Sequence, residues 1–146
     1  MKFFNISFIL VFALFSNLTF ADGIKGKLTI ELNGSKGVGK GKCQLFYTFN
    51  NQTGFNITGL NFKTSFKESD GSIIGKNFLM VNRLKNAVNV DTDQYVMESS
   101  CNEVKTVKLN PISQLIVDGD YRSDLFDMVE NNIIVSSKVS GVSFVN

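Results

Sequence analysis

Residues 43–51 read CQLFYTFNN, with Cys43, Leu45, Tyr47 and Phe49 on every second position and two asparagines closing the run. In an extended chain successive side chains point to opposite sides, so this alternation puts all four on one face of a β-strand. The pattern repeats downstream. In ITGLNFKTSFKESDG, residues 57–71, Leu60, Phe62, Thr64 and Phe66 alternate with Asn61, Lys63, Ser65 and Lys67 before Asp70-Gly71 turns the chain. The second set is polar throughout, which predicts a strand with one face in water.

Working outward, IKGKLTIEL (24–32) holds Ile24, Leu28 and Ile30 in phase and stops at Asn33-Gly34, a strand followed by a turn. SIIGKNFLMV (72–81) pairs back across Asp70-Gly71, although its apolar runs leave the inward face open. A short strand is expected from Val88 to Tyr95, and EVKTVKLN (103–110), QLIVDGD (114–120) and IIVSSKVSGVSFV (133–145) supply more. Only SDLFDMVENN (123–132) reads as helical, with Ser123 as N-cap, Asp124 in the first turn and Asn131-Asn132 as the stop. Many short strands, one proline and no long helical period predict an all-β domain, an antiparallel sandwich or barrel with one short helix near the C-terminus.

The first 21 residues read differently. Lys2, the apolar run from Ile6 to Phe15 and the small residues Thr19 and Ala21 describe a secretory signal peptide cleaved after Ala21. Residues 22–146 then form a single domain, periplasmic or secreted, with no membrane span in the mature chain. Removing Lys2 takes one from 15 basic residues against 13 acidic ones, so no global field recruits nucleic acid or an anionic membrane. An exported chain with two cysteines, Cys43 and Cys101, is expected to join them, the alternative being two separate buried thiols.

Several chemistries can be weighed. GSKGVGKGKC, residues 34–43, has the G-x-x-x-x-G-K spacing of a phosphate loop. However, Gly41 follows the lysine where Ser or Thr would hold magnesium, and a strand follows where a helix belongs. The chain contains no histidine, which removes Ser-His-Asp and Cys-His catalysis and the usual zinc ligands. Ser137 and Lys138, adjacent on a strand, point apart and cannot share a proton. The aspartates of DGDYRSD (118–124) miss the calcium-loop pattern at Arg122, Ser123 and Val129. No enzyme, cofactor or metal is therefore expected. Lys36, Lys40 and Lys42 form the local basic cluster and are the candidate contact for an anionic partner.

The block from GKCQLFYTFNNQTGFNITGLNFKTSFKESDGSIIGK to ESSCNEVKTVKLN resembles small exported proteobacterial proteins of uncharacterised function. It is also similar to the FxLYD type of bacterial surface β-sandwich, with Ser65-Phe66-Lys67 where Leu-Tyr-Asp would stand. The resemblance implies an immunoglobulin-like β-sandwich. The expected role is a non-catalytic envelope protein, a binding or assembly module that meets an envelope protein or surface component through an edge strand or loops. The alternative is a carrier of a small apolar ligand, with the strands closed into a barrel around a cavity.

Overall fold

The computed structural model describes residues 23–39 and 41–146; the expected leader and its cleavage site lie outside them. Among these residues the elements run β1 Leu28–Gly37, β2 Cys43–Asn51, β3 Ile57–Lys67, β4 Ile73–Leu84, β5 Asn89–Val96, β6 Thr106–Val117 and β7 Asp120–Tyr121. A 3₁₀ turn at Ser123–Leu125 leads into α1 Phe126–Glu130, followed by β8 Ile133–Ser137 and β9 Ser143–Val145. The strands make two sheets, β5-β2-β1-β8 and β4-β3-β6-β7, with β9 also paired to β6.

The central ladders are antiparallel, but the expectation of a wholly antiparallel fold is corrected at two places. β8 runs parallel to β1, with Leu28 opposite Ile133, and β9 runs parallel to β6, with Val107 opposite Phe144. Both strands arrive by long connections instead of hairpins, which is the condition under which parallel neighbours form.

Burial follows the alternation read in the sequence. Cys43, Leu45, Tyr47 and Phe49 are buried on β2, and Leu60, Phe62 and Phe66 on β3; Leu28, Ile30 and Leu32 join them from β1 and Val107, Leu109 and Leu115 from β6. Each such side chain contributes roughly 1.5–3 kcal/mol on leaving water. Phe144 on β9 packs edge-on against Tyr47, with ring centroids 5.7 Å apart.

Three local expectations change. β1 begins at Leu28 and continues past Asn33-Gly34 to Gly37, because a bulge between Leu32 and Gly34 absorbs the expected turn and restores the pairing with β2. EVKTVKLN and QLIVDGD belong to one strand, β6; Asn110 and Pro111 fall where the register with β3 shifts between Phe62 and Thr64, so the missing proline N–H is accommodated at a bulge. Ser123 caps nothing with its side chain: the 3₁₀ turn starts after Arg122, and no side-chain cap precedes α1. The Asp70-Gly71 turn does form, with Ser72 N donating to Asp70 Oδ1 at 2.8 Å and Gly71 at φ 85°.

Two features lock the sheets together. Cys43, at the start of β2, is bonded to Cys101 in the β5–β6 connection, 58 residues away. Inside the sandwich the buried Tyr47 hydroxyl donates to Gln94 Oε1 at 3.1 Å. Gln94 Nε2 donates to Thr64 Oγ1 at 2.6 Å, and the Thr64 hydroxyl donates to the Asn77 carbonyl at 3.0 Å. This chain passes from β2 and β5 in one sheet to β3 and β4 in the other. Burial raises the Tyr47 phenol pKa far above its ordinary value of 10.0.

Candidate anion-binding face

The outer face of β3 carries Asn61, Lys63, Ser65 and Lys67, the polar set that the alternation turned toward water. Registration with the neighbouring strands shapes what surrounds it. Ser65 lies opposite Lys76 of β4 on one side and Lys108 of β6 on the other, while Lys63 and Lys67 flank it along its own strand. Four lysines therefore form a cross around a serine that is only 5% exposed. Strand spacing puts Lys76 and Lys108 about 10 Å apart at their Cα atoms, and Lys63 and Lys67 about 13 Å apart.

Bulges set this arrangement. The irregularity of β6 near Pro111 brings Lys108, with Ser65, into the same row as Lys76. In β4 a second irregularity lets Lys67 face Ile73 and Phe66 face Gly75, so Ile73 joins the outer face while Ile74 packs against the core. Asn110 Nδ2 donates to Ser65 Oγ at 3.4 Å, holding the centre of the cross to β6.

The result is a surface cleft of about 540 Å³ lined by the four lysines together with Thr64, Ser65, Asn77, Asn110, Ile73 and Phe78. No carboxylate lines it. The ion pairs among the described residues, Arg122 with Asp124 and Lys138 with Glu31, lie elsewhere. Four ammonium groups are thus gathered within about one or two Debye lengths at physiological salt with no carboxylate in the cleft itself, Glu130 lining the adjoining cleft that Lys108 also borders, and an incoming anion relieves their mutual repulsion.

The opposite sandwich face differs. There Gln44 donates to Asp93 at 2.7 Å and Thr48 to Asp91 at 2.5 Å, so its carboxylates are held by neighbouring polar side chains. Lys36 sits on that face beside Gln44, and Lys42 sits in the β1–β2 turn, where its carbonyl accepts from Val38 N at 2.9 Å. Lys40 lies outside the described residues. Lys36 is therefore on a different sheet from the four-lysine cross. Sequence reasoning missed the cross because Lys76 and Lys108 join Lys63 and Lys67 only once the strand register is known; the signal present was the clean polar face of β3.

The middle of the sheet edge beside this face is partly occupied. Phe78 N donates to Asn77 Oδ1 at 2.8 Å, the Met80 carbonyl accepts from Thr92 Oγ1 at 3.1 Å, and Asn77 Nδ2 donates to the Tyr95 carbonyl at 2.8 Å. Side chains thus tie β4 to β5 and take up backbone groups that an added strand would need.

No family model matches the chain, and no curated protein matches its sequence. Among solved structures it is similar to IrmA from Escherichia coli, with a TM-score of 0.54 and 12% identity over 77% of this chain and 91% of that one. At that identity the likeness is one of fold alone.

Proposed function

We propose that this protein is an exported, non-catalytic binding module that takes an anionic envelope component on the outer face of β3, β4 and β6. The carrying observation is the cross of Lys63, Lys67, Lys76 and Lys108 around Ser65, without a carboxylate in the cleft. In this reading the leader directs export, the Cys43–Cys101 bridge suits an oxidising compartment, and the sandwich is a variant of the immunoglobulin-like plan with added parallel strands. The side-chain bonds at Phe78 N and the Met80 carbonyl, in the middle of the β4 edge, favour a contact through a face over strand addition there. An apolar-ligand carrier has less support, since Tyr47, Phe49, Phe62 and Phe66 fill the space between the sheets.

The test is binding of the mature protein to dextran sulfate as the salt concentration is varied. Replacing Lys63, Lys76 and Lys108 by Gln is expected to weaken binding and flatten its salt dependence. Replacing Lys36 and Lys42 by Gln is expected to do neither. Equal binding by the wild type and the face variant would reject this surface as the site.

A further inference from the structure

We infer that the anionic partner is a lipid surface, so that the β3-β4-β6 face docks on the headgroup layer of a membrane. The inference rests on the anion-binding reading above and adds a second property of the same face. β4 is the outermost strand of its sheet, and it presents Ile73, Phe78 and Met80 outward, 53%, 47% and 57% exposed. These residues share the face with the lysines: Phe78 lies opposite Lys63, Ile73 opposite Lys67 and Met80 opposite Asn61. Lys76 sits between Ile73 and Phe78 on the same strand.

Singly exposed apolar side chains are ordinary, but apolar side chains grouped on one face beside a charged cleft mark a contact site. A hydrophilic polyanion such as a charged glycan neutralises lysines but leaves Phe78 and Met80 in water. An anionic bilayer answers both needs: its phosphates meet the ammonium groups while the apolar side chains enter the boundary between headgroups and acyl chains. Alternation of basic and apolar residues suits that boundary, because a lysine can lay its methylene stem beside its neighbours and keep its charge at phosphate level. The face also lacks ion pairs that would have to break first. No helix of the described residues is long and apolar enough to cross a membrane, so the contact proposed is peripheral.

The experiment compares co-sedimentation of the mature protein with vesicles of pure phosphatidylglycerol and of pure phosphatidylcholine, beside binding to dextran sulfate. Each lysine near an anionic surface strengthens binding roughly fivefold, so K63Q/K76Q is expected to bind phosphatidylglycerol vesicles about 25-fold more weakly. M80S, at a position outside the cleft lining, is expected to lose about fivefold on those vesicles, equivalent to about 40 Å² of apolar surface no longer leaving water, with dextran sulfate binding unchanged. Both variants change exposed positions, and unaltered thermal melts show that they fold. Binding to dextran sulfate without binding to phosphatidylglycerol vesicles overturns the lipid assignment and leaves the anion site standing. Full vesicle binding by M80S also overturns it, and equal binding to both lipids removes the role of charge. Binding to neither probe defeats this inference and the proposed function together.

Discussion

The buried chain from Tyr47 through Gln94 to Thr64 makes a quantitative demand on stability. Tyr47→Phe removes one hydroxyl and leaves Gln94 Oε1 buried without the 3.1 Å donor it has now. A buried group stripped of its partner costs about 1–3 kcal/mol, so about 1.5 kcal/mol is expected. Gln94→Leu strands the Tyr47 hydroxyl and removes the 2.6 Å donor to Thr64, whose own hydroxyl still donates to the Asn77 carbonyl; about 2–3 kcal/mol is expected. In the double variant the Tyr47–Gln94 pair is absent on both sides and no stranded partner remains between them. Its cost is expected to fall short of the sum of the single costs by about 1 kcal/mol. The chain has no tryptophan, so urea unfolding followed by far-ultraviolet circular dichroism is the appropriate assay. Additivity within about 0.3 kcal/mol would show that the two side chains do not depend on each other and would refute the relay.

Other outcomes follow from the same contacts. Reducing the Cys43–Cys101 bridge, or replacing both cysteines by Ala, releases a loop of 58 residues and is expected to cost about 4 kcal/mol on the chain-entropy model, read as a lower urea midpoint. Tyr47 has its pKa raised in the folded state, so its contribution is complete below the ordinary value of 10.0 and declines as pH rises above it. Wild-type stability should therefore fall across that alkaline range more steeply than that of Tyr47→Phe, and parallel curves would contradict the assignment. Asn51→Leu should be severe. The buried Asn51 amide donates to the carbonyls of Phe55 and Leu84 at 2.8 Å each, and its oxygen accepts from Thr53 N and Oγ1, so a loss of about 3 kcal/mol or failure to fold is expected in a melting assay.

The run CQLFYTFNN was legible because a strand with one buried face writes its geometry at period two, and β2 has that burial at every position. β3 was readable for the same reason on its apolar face; of the polar set expected in water, Lys63 is exposed and Asn61 and Lys67 partly so, while Ser65 is covered by its neighbours. β4 was not: Ile73-Ile74 and Phe78-Leu79-Met80-Val81 contain no alternation, and the phase is set by a bulge and by pairing with β3. The continuity of β6 through Pro111 was hidden too, since a proline ends a strand unless the partner strand accommodates it by a register shift. Asn51 looked like a stop signal, whereas it is a buried hub joining the ends of β2 and β4 through four hydrogen bonds. The basic face was half visible in Lys63 and Lys67. Its other half depended on residues made neighbours by strand order, which composition does not encode. The cluster that sequence proximity suggested, Lys36, Lys40 and Lys42, lies in one short segment, while the four-lysine cross draws on three strands.

The parallel pairing of β1 with β8 also bears on when this fold can form. Leu28, at the start of the first strand, finds its partner in Ile133, near the end of the chain, and β9 reaches β6 later still. Pairings that span most of a sequence fold slowly, because a long loop must close before the contact stabilises anything. The first sheet therefore keeps an open edge on β1 until the last strands have emerged. Until residues 133–137 are available, the chain can form its hairpin ladders but cannot close this edge of the sandwich.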